Sequence, residues 1–251
     1  MLNFRRLSAS YGKRSILEEV SFPVVPHKIT AVIGKNGCGK STLFSCLNQE
    51  RPYTGEIAYS DRSLALMTPR ERARLLGLLP QVLTSPPVSV QELVAFGRQP
   101  YLDFGKRLAE ADRQAINEAI AEIGLEGLRH QRVDRLSGGE RQKAFLAMVL
   151  AQRTRILALD EPTTYMDMAY QAEFFRLLAM LKQKRKVTVL LILHDLAQAL
   201  QHADYIVLLD QKRVAFYGTA EECAASGLIP AVFGVQMHEF FENGKRFLAF
   251  S

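Results

Sequence analysis

The chain has 251 residues, 48% of them apolar and 23% charged, and a net charge of +6. That length fits one large domain or a core with an insert, and the apolar share is enough for a buried core. No apolar run reaches the roughly 20 residues a membrane helix needs. The basic residues are scattered rather than gathered into a nucleic-acid-binding run. Cys38, Cys46 and Cys223 lack CxxC or Cys/His spacing, which argues against a disulfide framework and a zinc site.

In chain order, Met1–Arg6 carries no apolar segment after its basic residues, so no secretory signal is expected and the protein should stay in the cytoplasm. The first 30 residues read as short strands with turns. Ile29–Ile33 is a continuous β-branched run, suited to a strand covered on both faces. A Gly-rich loop follows at once, with a helix expected from near Lys40. Capping boxes, in which a Ser or Thr caps a helix and a Glu three residues later reaches back, are predicted at Thr68–Glu71, Ser89–Glu92 and Ser137–Glu140.

Residues 85–152 read as mostly helical and as a candidate insert. Ala115, Ile116, Ala119, Ile120 and Ile123 recur at helical spacing, and a helix capped by Ser137 should run to about Gln152. Ile156–Leu159 is a second buried strand candidate. Phe174, Leu177, Leu178 and Leu181 mark another helix. Val187–Leu193 and Tyr205–Leu209 are further strands, and 205–219 reads as short strands with turns, Gly218 ending a hairpin. Strands alternating with helices predict an α/β fold with a mainly parallel sheet.

Gly34-Lys35-Asn36-Gly37-Cys38-Gly39-Lys40-Ser41 matches GxxxxGK[ST] in full, between a strand and a helix. Glycines let successive backbone N–H groups wrap one phosphate, and the helix N-terminus favours an anion. Lys40 would supply a point charge for the β- and γ-phosphates, and the Ser41 hydroxyl can ligate Mg²⁺. The strand Ile156–Leu159 ends in two carboxylates. Asp160 suits the Mg²⁺ shell, and strand alternation would turn Glu161 to the opposite face as a general base.

Leu136-Ser137-Gly138-Gly139-Glu140 resembles the signature motif of ABC ATPases. The order of motifs agrees: phosphate loop, Gln81, signature, Asp160-Glu161, His194. The resemblance covers essentially the whole chain. It implies a P-loop NTPase (RecA-like) core with an antiparallel β subdomain and an inserted helical subdomain. Residues 1–84 and 153–251 would form the core, and 85–152 the helical signature subdomain. It implies ATP and Mg²⁺ as cofactors, with Gly34, Asn36, Gly37, Cys38, Gly39, Lys40, Ser41 and Thr42 around the phosphates.

By the same resemblance, Tyr11 stacks on adenine, Gln81 senses Mg²⁺, His194 contacts the γ-phosphate, and Asp167 signals across a dimer. Tyr165 and Met166 depart from the commoner Ala-Leu beside it. Ser137, Gly138, Gly139 and Glu140 would meet the γ-phosphate held by a second copy, in a head-to-tail pair. Integral-membrane permease subunits, and indirectly a substrate-binding protein, are the implied partners. The implied place is peripheral, on the cytoplasmic face of the membrane.

Three segments resemble importers of iron chelates, haem and cobalamin: Val90–Val94 leading to Gly97–Tyr101, Pro162–Asp167, and Val232–Val235. The chain ends soon after Gly244-Lys245-Arg246, so no added regulatory domain is expected. Molybdate-type oxyanion importers share much of the layout. DNA-associated ABC ATPases fit the basic charge but would carry a long coiled-coil insertion, which is missing here, and no nucleic acid is expected.

Overall fold

The computed structural model describes residues 1–102, 107–164, 166–242 and 245–251. The chain divides into two compact units, 1–66 with 188–251, and 67–187.

In the first unit, β1 (Leu2–Tyr11) and β2 (Arg14–Val24) form an antiparallel hairpin. At 10 and 11 residues these strands are not the short ones expected. Irregularities in their pairing absorb positive φ at Arg6 and Glu19, so each strand bends without ending. The fully buried β3 (Ile29–Gly34) leads through the glycine loop into α1 (Lys40–Leu47). β4 (Thr54–Tyr59) and β5 (Arg62–Ser63) extend the antiparallel sheet in the order β2-β1-β4-β5.

The second unit opens with α2 (Pro69–Leu75) and β6 (Leu76–Leu79), followed by α3 (Val90–Phe96), α4 (Glu110–Ile123) and α5 (Gly138–Ala151). β7 (Ile156–Asp160) pairs parallel with β6, and α6 (Met168–Arg185) follows. The three expected capping boxes are present, starting α2, α3 and α5. A buried Arg98 ties the helices together. Its Nε donates to Asp112 Oδ1 of α4 at 2.9 Å, and a terminal nitrogen donates to the Ala151 carbonyl at the end of α5 at 2.8 Å. Its guanidinium also lies 4.0 Å from the centroid of the Tyr101 ring.

The chain returns to the first unit with β8 (Thr188–Ile192), α7 (Leu196–His202), β9 (Tyr205–Asp210) and β10 (Arg213–Thr219). α8 (Ala220–Ala225), α9 (Leu228–Phe233) and the hairpin β11 (Met237–Glu242)–β12 (Lys245–Phe250) follow. β3 runs parallel to both β8 and β9, and β10 is antiparallel to β9. The β9–β10 turn is made by Gln211 and Lys212, both at positive φ. Gly218 therefore does not end the hairpin as expected. It lies within β10 opposite Ile206. Phe4 stacks on Phe22 at 4.5 Å, and Tyr217 meets Phe22 at 6.4 Å and Tyr205 at 5.9 Å, an aromatic seam from the antiparallel sheet to β9–β10.

Candidate functional site

The phosphate loop follows β3 as expected, and two of its glycines are sterically required. A Cβ on Gly34 would lie 2.4 Å from the Leu209 carbonyl oxygen and 2.6 Å from Cys38 Sγ. Gly39, the N-cap of α1, has φ +109, and a Cβ there would meet Leu17 at 2.5 Å. Lys40 is buried, with Nζ donating to the carbonyls of Gly34 at 2.7 Å and Lys35 at 3.1 Å. Its ammonium is thereby bent back over the loop, while Lys35, Asn36 and Gly37 are exposed. Ser41 is exposed and Thr42 buried on the first turn of α1. This is a cationic cradle at a helix N-terminus, built for an anion.

Cys38 lies half-buried in the cradle. Burial pushes its thiol above the ordinary range, and the Lys40 ammonium and nearby backbone N–H groups only partly oppose this. Tyr11, at the tip of the β1–β2 hairpin, is 51% exposed, and the Arg51 guanidinium stacks 3.5 Å from its ring centroid. His194 is exposed just after β8, and Asp195 caps α7 through the Gln198 N–H at 3.0 Å.

In the second unit, β7 ends at Asp160, which is buried. Strand alternation does not orient Glu161, contrary to expectation, because Glu161 lies beyond the strand at φ +49 and is itself buried. Its carboxylate is held instead by the Gln81 Nε2 donor at 2.5 Å. Thr164 Oγ1 donates to the Glu161 carbonyl at 3.1 Å and lies 3.4 Å from Glu161 Oε2. Gln81, Glu161 and Thr164 thus converge.

The signature begins α5. Ser137 Oγ accepts from the Glu140 N–H at 3.3 Å, and Glu140 Oε2 accepts from the Ser137 N–H at 2.9 Å and from its hydroxyl at 2.7 Å. Those bonds from Ser137 hold the Glu140 carboxyl below the usual range. Gly138 and Gly139 carry the first N–H groups of the helix, at its positive end. Asp167 caps α6 by accepting from the Tyr170 N–H at 2.9 Å. Tyr165 and Gly244 lie outside the described residues, while Met166 is buried.

The expected site residues fall on both units: Tyr11, the phosphate loop and His194 on the first, and Gln81, the signature, Asp160, Glu161 and Asp167 on the second. Arg51, Thr164 and Gln142 also touch these segments and are not among the expected residues. Gln142 is buried on α5 and donates from Nε2 to the Pro162 carbonyl at 2.7 Å, joining the signature helix to the turn after Glu161. A signal was present for it, since a lone amide shares a helix face with Phe145, Leu146 and Val149. Arg51 had none, as a single Arg after a helix is ordinary.

Fold and cradle together define a P-loop nucleotide-binding ATPase cassette. The ABC transporter family model matches residues 17–164, and the chain belongs to that family. It is similar to the probable siderophore transport system ATP-binding protein YusV of Bacillus subtilis (strain 168), 39% identical over 231 residues, covering 91% of this chain and 84% of that protein. The ferric enterobactin transport ATP-binding protein FepC of Escherichia coli (strain K12) is 37% identical over 237 residues, covering 94% and 88%. Among solved structures, a metal-chelate type ABC transporter in an inward-facing conformation aligns with a TM-score of 0.85 and 27% identity, covering 100% of this chain and 96% of that one.

Proposed function

We propose that this chain is the ATP-hydrolysing subunit of an importer for an iron chelate, working as a head-to-tail pair on permease subunits at the cytoplasmic face of the membrane. The observation that carries the ATPase reading is the phosphate cradle, with a buried Lys40 bent over its carbonyls at the start of α1. The siderophore-transport relatives support the choice of cargo, and a substrate-binding protein would deliver it.

In this reading, N–H groups from Gly34 to Thr42 and the Lys40 ammonium hold the triphosphate, and Tyr11 stacks on the base. Ser41 and Asp160 each offer the hard oxygen donor that Mg²⁺ prefers and would hold it, and Gln81 would sense it. When bound, it neutralises charge on the transferring phosphoryl group. Glu161 takes a proton from the attacking water as its oxygen bonds to the γ-phosphorus. The bond to the bridging oxygen breaks, and ADP leaves with phosphate. His194 and the partner copy's signature stabilise charge on the γ-phosphoryl oxygens, and Asp167 acts across the pair.

Residues 85–152 serve as the helical signature subdomain. A groove of about 370 Å³ beside α3, lined by Pro69, Arg70, Phe96, Gly97, Pro100 and Met148, is the surface we assign to a permease helix. Phe96 is 43% exposed there.

The test is reconstitution with the neighbouring permease and binding protein in proteoliposomes. A ferric siderophore on the binding protein should raise ATP hydrolysis and appear inside the vesicle. A complex indifferent to iron chelates but driven by molybdate would move the cargo to the oxyanion branch.

A further inference from the structure

Tyr11 offers two ring faces, and one is already taken. The Arg51 guanidinium sits 3.5 Å from the ring centroid, in stacking contact. Arg51 lies only a few residues beyond the C-terminus of α1, whose N-terminus is the phosphate cradle. Its Nε is buried and has no hydrogen-bond partner among the described residues. A guanidinium normally exchanges its hydration for hydrogen bonds when it is buried. Here that nitrogen has exchanged it for the ring. Tyr11 nonetheless stays 51% exposed, so a face remains open.

We propose that Arg51 is a positioning residue for nucleotide binding: it backs one face of Tyr11 and holds the ring so that the other face receives the adenine. The inference rests on Tyr11 being the base-stacking residue. A tyrosine at a hairpin tip beside a glycine otherwise samples several rotamers, and each must be given up when the base binds. A planar cation fixed against the back of the ring removes that freedom beforehand, which is preorganisation. Lysine would keep the charge but lose the flat contact.

The experiment compares binding of MgATP and of magnesium tripolyphosphate, which keeps the phosphates and lacks the base. For Arg51→Ala we expect MgATP affinity to fall about two- to fivefold, the range of an exposed cation–π contact, with tripolyphosphate affinity unchanged. Arg51→Lys should recover only part of the loss. In a Tyr11→Ala background, Arg51→Ala should have no further effect. The inference is overturned if Arg51→Ala leaves MgATP affinity intact, tightens it, weakens both ligands equally, or still acts without Tyr11. If Tyr11→Ala itself leaves MgATP affinity unchanged, the base-stacking reading falls and the inference with it. A weakened Tyr11→Ala beside an unaffected Arg51→Ala removes the Arg51 inference alone.

Discussion

Gln81 donates from Nε2 to Glu161 Oε2 at 2.5 Å, so the residue proposed to sense the metal holds the carboxylate proposed to take the proton. Glu161→Gln should lower phosphate release by at least ~10²-fold, the low end of general-base contributions, while MgATP still binds and dimer accumulates by light scattering. Gln81→Ala should cost less, and the double variant should be no slower than Glu161→Gln alone, because the two act as one unit. Hydrolysis at the ordinary rate in Glu161→Gln would remove the assigned base.

Lys40→Ala should abolish both nucleotide binding and turnover. It also strips two loop carbonyls of a charged donor, which costs roughly 1–3 kcal/mol where the groups stay buried. Calorimetric titration and thermal melting separate the two effects. A variant that still binds MgATP with native affinity would contradict the cradle as built.

Cys38 shares that cradle, and its thiol is pushed up by burial. Alkylation should be slow at neutral pH and keep accelerating beyond the pH at which a free thiol is half ionised, because the thiolate is the reactive form. MgATP should protect it. Equal labelling with and without nucleotide counts against its place at the phosphates.

The capping glutamates give stability a defined acid limb. Bonds from Ser89 and Thr219 depress the carboxyls of Glu92 and Glu222, as Ser137 depresses that of Glu140. A depressed folded value means that the unfolded chain binds more protons, so this stability is present above the ordinary glutamate range and lost as pH falls from there through the depressed folded value. Urea midpoints should drop on acidification below that range, and the triple Gln variant should show a shallower drop. Ser137→Ala should cost about 1 kcal/mol at neutral pH.

Arg98 and Asp112 form a buried pair at the junction of α3, α4 and α5. Arg98→Ala should destabilise the protein by about 3–5 kcal/mol, since it leaves a carboxylate buried alone. Arg98→Met with Asp112→Leu should be far milder. If the single variant unfolds at the native urea concentration, the pair contributes nothing.

Much of this molecule could be read along the chain. The phosphate loop, the three capping boxes and the helical spacing of Ala115–Ile123 all close within a few residues, so composition and spacing decide them. Strand alternation, by contrast, does not reach Glu161. Alternation holds only inside a strand, and the chain turns left-handed one residue after β7 ends.

Local chemistry sets what the sequence alone determined: a glycine-lined anion cradle, a Ser-capped signature helix and paired carboxylates at a strand end. Folding decided the contacts between distant residues. Gln81 reaches Glu161 across 80 positions, Gln142 reaches Pro162 across 20, and Arg98 reaches Asp112 across 14. No local propensity encodes such pairs. They exist because packing places two segments side by side, and a buried polar group left there without a partner would cost more than the bond that satisfies it.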